Sequence, residues 1–122
     1  MITLVFYSLT GQCRRFVDKL GLLDTSIELK STANYPRMTS PFILLVPSYD
    51  DSDVELVDDF LTENVALCQG LLGSGNRNFG PEFCKTARRY AQTYGLPILH
   101  EFEFNGTDQD LEYVKGILSH ES

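Results

Sequence analysis

Three short stretches hold the residues whose types and spacing could do chemistry. "SLTGQC", Ser8 to Cys13, sets two hydroxyls and a glycine just ahead of an amphipathic segment. The exposed N–H groups and positive dipole end of a helix start suit a phosphate. Ser and Thr are also the ordinary N-cap residues, so this stretch alone reads equally as a plain cap. No Gly-Lys-Ser/Thr follows, which excludes a Walker loop, and the glycine spacing of a dinucleotide fingerprint is absent. Arg14 and Arg15 come next and either add charge toward a phosphate or, the favoured reading, face solvent.

"PSYDDSD", Pro47 to Asp53, opens a run of seven acids: Asp50, Asp51, Asp53, Glu55, Asp58, Asp59 and Glu63. Acids in a first helical turn complement the dipole, so a solvated face accounts for them. No histidine or third convergent acid supports a metal site. A phosphate-accepting receiver domain would need an acidic pair after the first strand and a lysine after the last, and neither is present.

"GSGNRNFG", Gly73 to Gly80, combines three glycines, two asparagines and the Phe79 ring. Glycine and asparagine permit positive φ and close backbone approach. Backbone amides in the plane of a heterocycle and a ring across its face are what a flat aromatic cofactor needs. Cys84 follows as the thiol nearest this edge, at the start of a helix in which Pro81 suits the first position. His100 and His120 read as an isolated strand residue and a tail residue, with no metal role.

Composition narrows the classes. The chain has 122 residues, a net charge of −7 and three widely spaced cysteines, with no CxxC pair. This fits one domain, residues 1–122, with a core burying roughly two thirds of the unfolded surface. A disulfide framework and a zinc site are not indicated, and a reducing cytoplasm is the expected compartment. The negative charge opposes a general electrostatic grip on nucleic acid but allows docking to a basic protein patch. No apolar run nears the ~20 residues of a membrane span. The N-terminus "MITLVFYS" lacks the basic and small-residue marks of a signal peptide and reads as a strand.

The elements that must position the three stretches are strands alternating with helices. Strands are expected at Ile2–Ser8, Thr25–Lys30, Pro41–Ser48, Gly70–Gly75 and Ile98–Phe104. "PFILLVPS", an unbroken apolar run between prolines, reads as a strand buried on both faces. Ile98–Phe104 alternates, Glu101 and Glu103 against Phe102 and Phe104, as a half-exposed edge strand does. Helical spacing joins Cys13, Phe16, Val17 and Leu20 up to Gly21; Val54, Val57 and Leu61 within Asp53–Glu63; Phe83, Ala87, Tyr90, Ala91 and Tyr94; and Leu111, Val114, Ile117 and Leu118 behind a Thr107–Asp110 capping box. The expected fold is α/β: a doubly wound, five-stranded parallel sheet in the flavodoxin-like order 2-1-3-4-5, with helices on both faces. Ligands bind such sheets at the carboxyl ends of the strands, where the three stretches fall.

With these motifs in hand, "YSLTGQCRRFVDKLG", "PFILLVPSY", "GSGNRNFG" and "LPILHEFEFNGTDQDLEYVKG" together resemble the NrdI family, in order along nearly the whole chain. "GNRNFG" and "FEFNGT" are the specific parts; "SLTGQC" matches flavodoxins in general. The resemblance implies a small flavoprotein of class Ib ribonucleotide reductase with non-covalent FMN. It implies that reduced flavin reacts with O₂ to give superoxide or peroxide for the dimanganese-tyrosyl radical centre of the small subunit, NrdF. Carried onto this chain, Ser8, Leu9, Thr10, Gly11, Gln12 and Cys13 would hold the phosphate. Ser48, Tyr49, Asp50 and Asp51 would flank the ring system on one side. Gly73, Ser74, Gly75, Asn76, Asn78, Phe79 and Gly80 would close the other, with Phe79 stacking.

Two departures are visible. Cys13 stands where flavodoxins end the loop in Thr; a thiol donates weakly, and its helical spacing turns it inward. The second loop is short, acidic and glycine-free where many family members have a longer glycine-rich one. An electron-transfer shuttle without oxidant production, or a flavin-free docking protein, therefore remain alternatives. An unidentified electron donor, a reductase or a ferredoxin-like protein, is also implied, and the chain is expected to be a monomer when alone.

Overall fold

The computed structural model describes residues 2–8, 11–30, 36–48, 55–76, 80, 83–104 and 106–120. The strands are β1 (Thr3–Tyr7), β2 (Ile27–Leu29), β3 (Phe42–Pro47), β4 (Cys68–Gly75) and β5 (Ile98–Glu103). The α-helices among the described residues are α1 (Gln12–Lys19), α2 (Glu55–Asn64), α3 (Lys85–Tyr94) and α4 (Asp108–His120). All strand pairs are parallel, in the order β2-β1-β3-β4-β5. The expected topology is thus the one observed. Among the described residues the β2–β3 connection carries no helix, so the alternation breaks there.

The pleat sorts the core into two halves. Leu4, Phe6, Ile43, Leu45 and Leu72 face α1 and α4 through Phe16, Val17, Val114 and Leu118. Val5, Tyr7, Phe42, Leu44, Val46 and Leu71 face α2 and α3 through Val57, Phe60, Leu61, Ala87 and Tyr90. Successive side chains of a strand point to opposite faces, so β3 feeds both halves, and all six of its residues are buried.

Local chemistry sets the boundaries. Gly21 has φ 76°. Its N–H donates to the Asp18 carbonyl at 2.9 Å and that of Leu22 to Val17 at 3.2 Å, the paired bonds of a Schellman stop for α1. At α4 the capping box is reciprocal: Asp110 N–H donates to Thr107 Oγ1 at 3.2 Å, and Thr107 N–H donates to Asp110 Oδ2 at 2.8 Å. Buried Asn64 ends α2; its Oδ1 accepts from Met38 N–H at 2.8 Å and its Nδ2 donates to the Phe60 carbonyl at 2.9 Å. It thereby ties the β2–β3 connection to the helix.

Helix α3 starts at Lys85, four residues later than Pro81 suggests; Pro81 itself lies outside the described residues. Cys84 is the N-cap, in the left-handed region at φ 53°. The strand glycines explain the close seat of this helix. A Cβ on Gly73 would stand 2.9 Å from Ala87 Cβ, and one on Gly75 would stand 2.8 Å from Cys84 N. Both are glycine because α3 lies almost against the β4 backbone.

Candidate functional site

The carboxyl ends of β3, β4 and β5 and the start of α1 enclose a cleft of about 180 Å³. It is lined by Gln12, Pro47, Ser48, Ser74, Gly75, Asn76 and Phe104. The sheet order reverses between β1 and β3, where this fold takes its ligands. Gln12, Ser48, Ser74, Gly75 and Asn76 were expected at a site on sequence grounds, and the fold brings them together. Leu9, Thr10, Tyr49, Asp50, Asp51, Asn78 and Phe79 lie outside the described residues.

At the α1 end, Gly11 is the N-cap with φ 86°, a turn that a side chain would strain. Ser8 Oγ accepts from Arg14 N–H at 3.3 Å, and Arg15 N–H donates to the Gly11 carbonyl at 3.0 Å. The N–H groups of Gln12 and Cys13 emerge at the same helix start, where the dipole favours an anion. Arg14 turns aside to Glu28 of β2. Arg15 is exposed, as the sequence suggests, and its Nη2 stands 3.8 Å from the place a Cβ on Gly11 would take. A cation thus stands beside the helix start.

Cys13 is 1 % exposed and packs with Phe16 and Val17, and burial pushes its thiol well above the usual range. Its thiol therefore faces the core, and only its backbone N–H is on offer at the loop. Gly73, Ser74 and Gly75 end β4, as the expected strand Gly70–Gly75 has them, and Gly73 serves the approach of α3. Gly80 is exposed with φ 58°.

The cleft floor is stitched by two serines. Ser48 N–H and Oγ both donate to the Ser74 carbonyl, at 2.9 and 3.2 Å. Ser74 Oγ, on a side chain that is itself buried, donates to the Phe104 carbonyl at 2.6 Å. The ends of β3, β4 and β5 are thereby held in one register.

Phe104 is the site residue that sequence reasoning missed. Strand alternation puts it on the inner face with Phe102, which is buried and stacked on Phe16 at 4.1 Å. Instead Phe104 has φ 52° and is 46 % exposed. The Glu103 carbonyl accepts from Gly106 N–H at 2.9 Å and closes a turn around it. A left-handed conformation at a side-chain-bearing residue costs about 1–3 kcal/mol and persists where the surroundings hold it. The signal for it lay in "NGT", turn chemistry immediately after the strand.

His100 is not isolated. Its Nε2 is 2.7 Å from Asp110 Oδ1, and its ring centroid is 4.6 Å from that of Tyr113. This pair joins β5 to α4 and lines no part of the cleft. His120 ends α4, and its side chain lies outside the described residues.

The site therefore offers the start of α1 at one end, through Gln12, with the exposed Arg15 beside that helix start. Hydroxyls, an amide and an aromatic ring lie along the rest. This fits a phosphate joined to a flat, apolar-faced ring system, the make-up of a flavin nucleotide.

The comparisons with known proteins agree. The family model "NrdI Flavodoxin like" matches residues 4–116. The chain is similar to "Protein NrdI" of Chromohalobacter salexigens, 36 % identical over 99 % of this chain and 96 % of that one. It is equally similar, at 36 %, to "Protein NrdI" of Enterobacter sp. strain 638, over 94 % and 90 %. Among solved structures, a short-chain flavodoxin associated with a non-canonical PDU bacterial microcompartment superposes over the whole of both chains. Its TM-score is 0.64 at 18 % identity, which establishes the shared fold. With sequence, fold and cleft in accord, the chain belongs to the NrdI family, a flavin-binding branch of the flavodoxin fold.

Proposed function

We propose that residues 1–122 form a single FMN-binding domain that serves class Ib ribonucleotide reductase. The observation that carries this reading is the cleft at the carboxyl edge of the sheet, with Gln12 at the start of α1 at one end and Phe104 at the other. Family membership supports it, because the family is associated with ribonucleotide reductase. The bound flavin supplies two-electron storage and reaction with O₂, giving superoxide or peroxide for the dimanganese-tyrosyl radical centre of NrdF.

The protein's own part is to bind and orient. The N–H groups of the loop from Ser8 to Cys13, with Leu9, Thr10, Gly11 and Gln12 between, hold the phosphate. Ser48, Tyr49, Asp50 and Asp51 bound the ring system on one side. Ser74, Gly75, Asn76, Asn78, Phe79 and Gly80 bound it on the other, with Phe79 stacking. A reductase or ferredoxin-like donor supplies electrons, and the protein works in the cytoplasm. No helix among the described residues is long and apolar enough to cross a membrane.

Two measurements test this. Denaturing a native preparation releases FMN, identified by chromatography; release of FAD, or failure of the apoprotein to take up FMN, overturns the cofactor. Mixing the reduced protein with NrdF, Mn(II) and O₂ produces a tyrosyl radical signal in electron paramagnetic resonance. FMN binding without that signal leaves an electron shuttle. No flavin binding, with retained NrdF binding, leaves a docking protein.

A further inference from the structure

Phe104 is an exposed ring in a conformation that side-chain-bearing residues avoid, and both of its main-chain polar groups are tied down. Its N–H donates to the Gly75 carbonyl at 3.0 Å and its carbonyl accepts from Ser74 Oγ at 2.6 Å. Both partners belong to the strand that forms the cleft floor. The turn removes Phe104 from the inner face that alternation would give it and places it in the cleft lining with Ser48, Asn76 and Gln12. A π-face flanked by hydroxyl and amide groups is a fit for a heteroaromatic ring, which takes an aromatic on its face and hydrogen bonds at its edge.

Position along the sheet separates the two ends of the ligand. From β1, whose loop leads into α1, to β5 there are three strand spacings, about 14 Å. The anion end of the cleft and the Phe104 end are therefore opposite ends.

We infer that Phe104 is an aromatic wall of the flavin cleft, set against the ring system rather than the phosphate, and that Ser74 is the positioning residue that holds it there. The inference rests on the proposed FMN function. It assigns a ring-contacting role to the turn after β5, in addition to the loops after β1, β3 and β4.

The test is a titration of apoprotein with FMN and, separately, with riboflavin, which lacks the phosphate. Affinity and the visible circular dichroism of the bound flavin, which reports the groups packed on its ring system, are both read. Phe104→Leu, which keeps an apolar side chain and removes the π-face, weakens FMN and riboflavin by the same factor, about three- to tenfold, and alters the dichroism of the bound flavin. Phe104→Tyr retains wild-type affinity. Ser74→Ala alters the dichroism in the same direction, and Ser74→Thr restores it.

Wild-type affinity and dichroism in a folded Phe104→Leu protein overturn the assignment of Phe104, as does a loss confined to FMN. Wild-type dichroism in Ser74→Ala overturns the positioning role. If the wild-type apoprotein takes up no FMN, the proposed function fails and this inference fails with it; uptake with an indifferent Phe104 leaves that function standing.

Discussion

His100 and Asp110 join the edge strand to the last helix through a contact of 2.7 Å between Nε2 and Oδ1, and the same carboxylate caps that helix through Thr107. Burial alone would push the Asp110 carboxyl up. Hydrogen bonds from His100 and from the N–H and hydroxyl of Thr107, together with the charge of His100, outweigh it and hold the group below its usual range. A carboxyl depressed on folding stabilises the fold above its unfolded value of 3.8, and that contribution fades as pH falls through the lower folded value. Asp110→Ala is expected to lower stability by about 1–2 kcal/mol at pH 7, through the lost cap and the lost partner of His100. The gap between wild type and variant narrows below pH 3.8. Urea unfolding at pH 7 and at pH 3 checks both points; a gap independent of pH would show that the carboxylate charge is immaterial.

Gly73 makes a sharper demand. A methyl group there would stand 2.9 Å from Ala87 Cβ, and two packed backbones have little room to part. Gly73→Ala is expected to destabilise by about 1–3 kcal/mol through overpacking. Thermal unfolding measures it. An unchanged midpoint would mean that α3 shifts freely on the sheet.

Arg15 reaches back over Gly11 while its neighbour Arg14 is engaged with Glu28. Arg15→Gln is expected to weaken FMN about three- to tenfold and leave riboflavin unaffected, since a guanidinium acts on phosphate and not on the ring system. The FMN effect shrinks at high salt because the group is exposed. Equal losses for both ligands would place Arg15 elsewhere.

Arg88 and Glu101 form a two-pronged ion pair at 2.7 and 2.9 Å, yet the Arg88 side chain is 46 % exposed. Water screens it, so Glu101→Gln is expected to cost only about 0.2–1 kcal/mol. A loss above 2 kcal/mol in chemical denaturation would contradict that ranking of an exposed pair below a buried contact.

The readable and unreadable parts of this chain differ by physical cause. Phe42–Pro47 announced itself because a strand buried on both faces needs apolar residues at every position, and the prolines that bound the run keep it too short for a buried helix. The Thr107–Asp110 box and the Gly21 stop were legible because capping depends on residues within one turn. Phe104 was not, because period-2 alternation holds only while φ stays extended, and the turn that breaks it begins at that residue. Gly73 and Gly75 fall within the expected strand Gly70–Gly75, but their purpose is hidden for a related reason: glycine marks both a flexible turn and a close approach by a distant element. Only the contact with Cys84 and Ala87 tells them apart. The pairing of His100 with Asp110 depended on α4 folding back along β5, which spacing does not encode. The candidate site was legible as three loops on one edge, and its fourth contributor was hidden by the same turn.

The latch made by Asn64 has a kinetic meaning. β2 is a three-residue edge strand paired to β1, while β3 lies between both halves of the core. Amides of β3 are therefore expected to exchange with solvent deuterium through global unfolding alone. The Met38 amide, which donates to the Asn64 side-chain oxygen, is expected to exchange through a smaller opening. Asn64→Ala brings Met38 exchange toward the rate of an unprotected amide without accelerating β3 to the same degree. The β2 side of the sheet is thus expected to open first, at the border that adjoins the α1 end of the cleft.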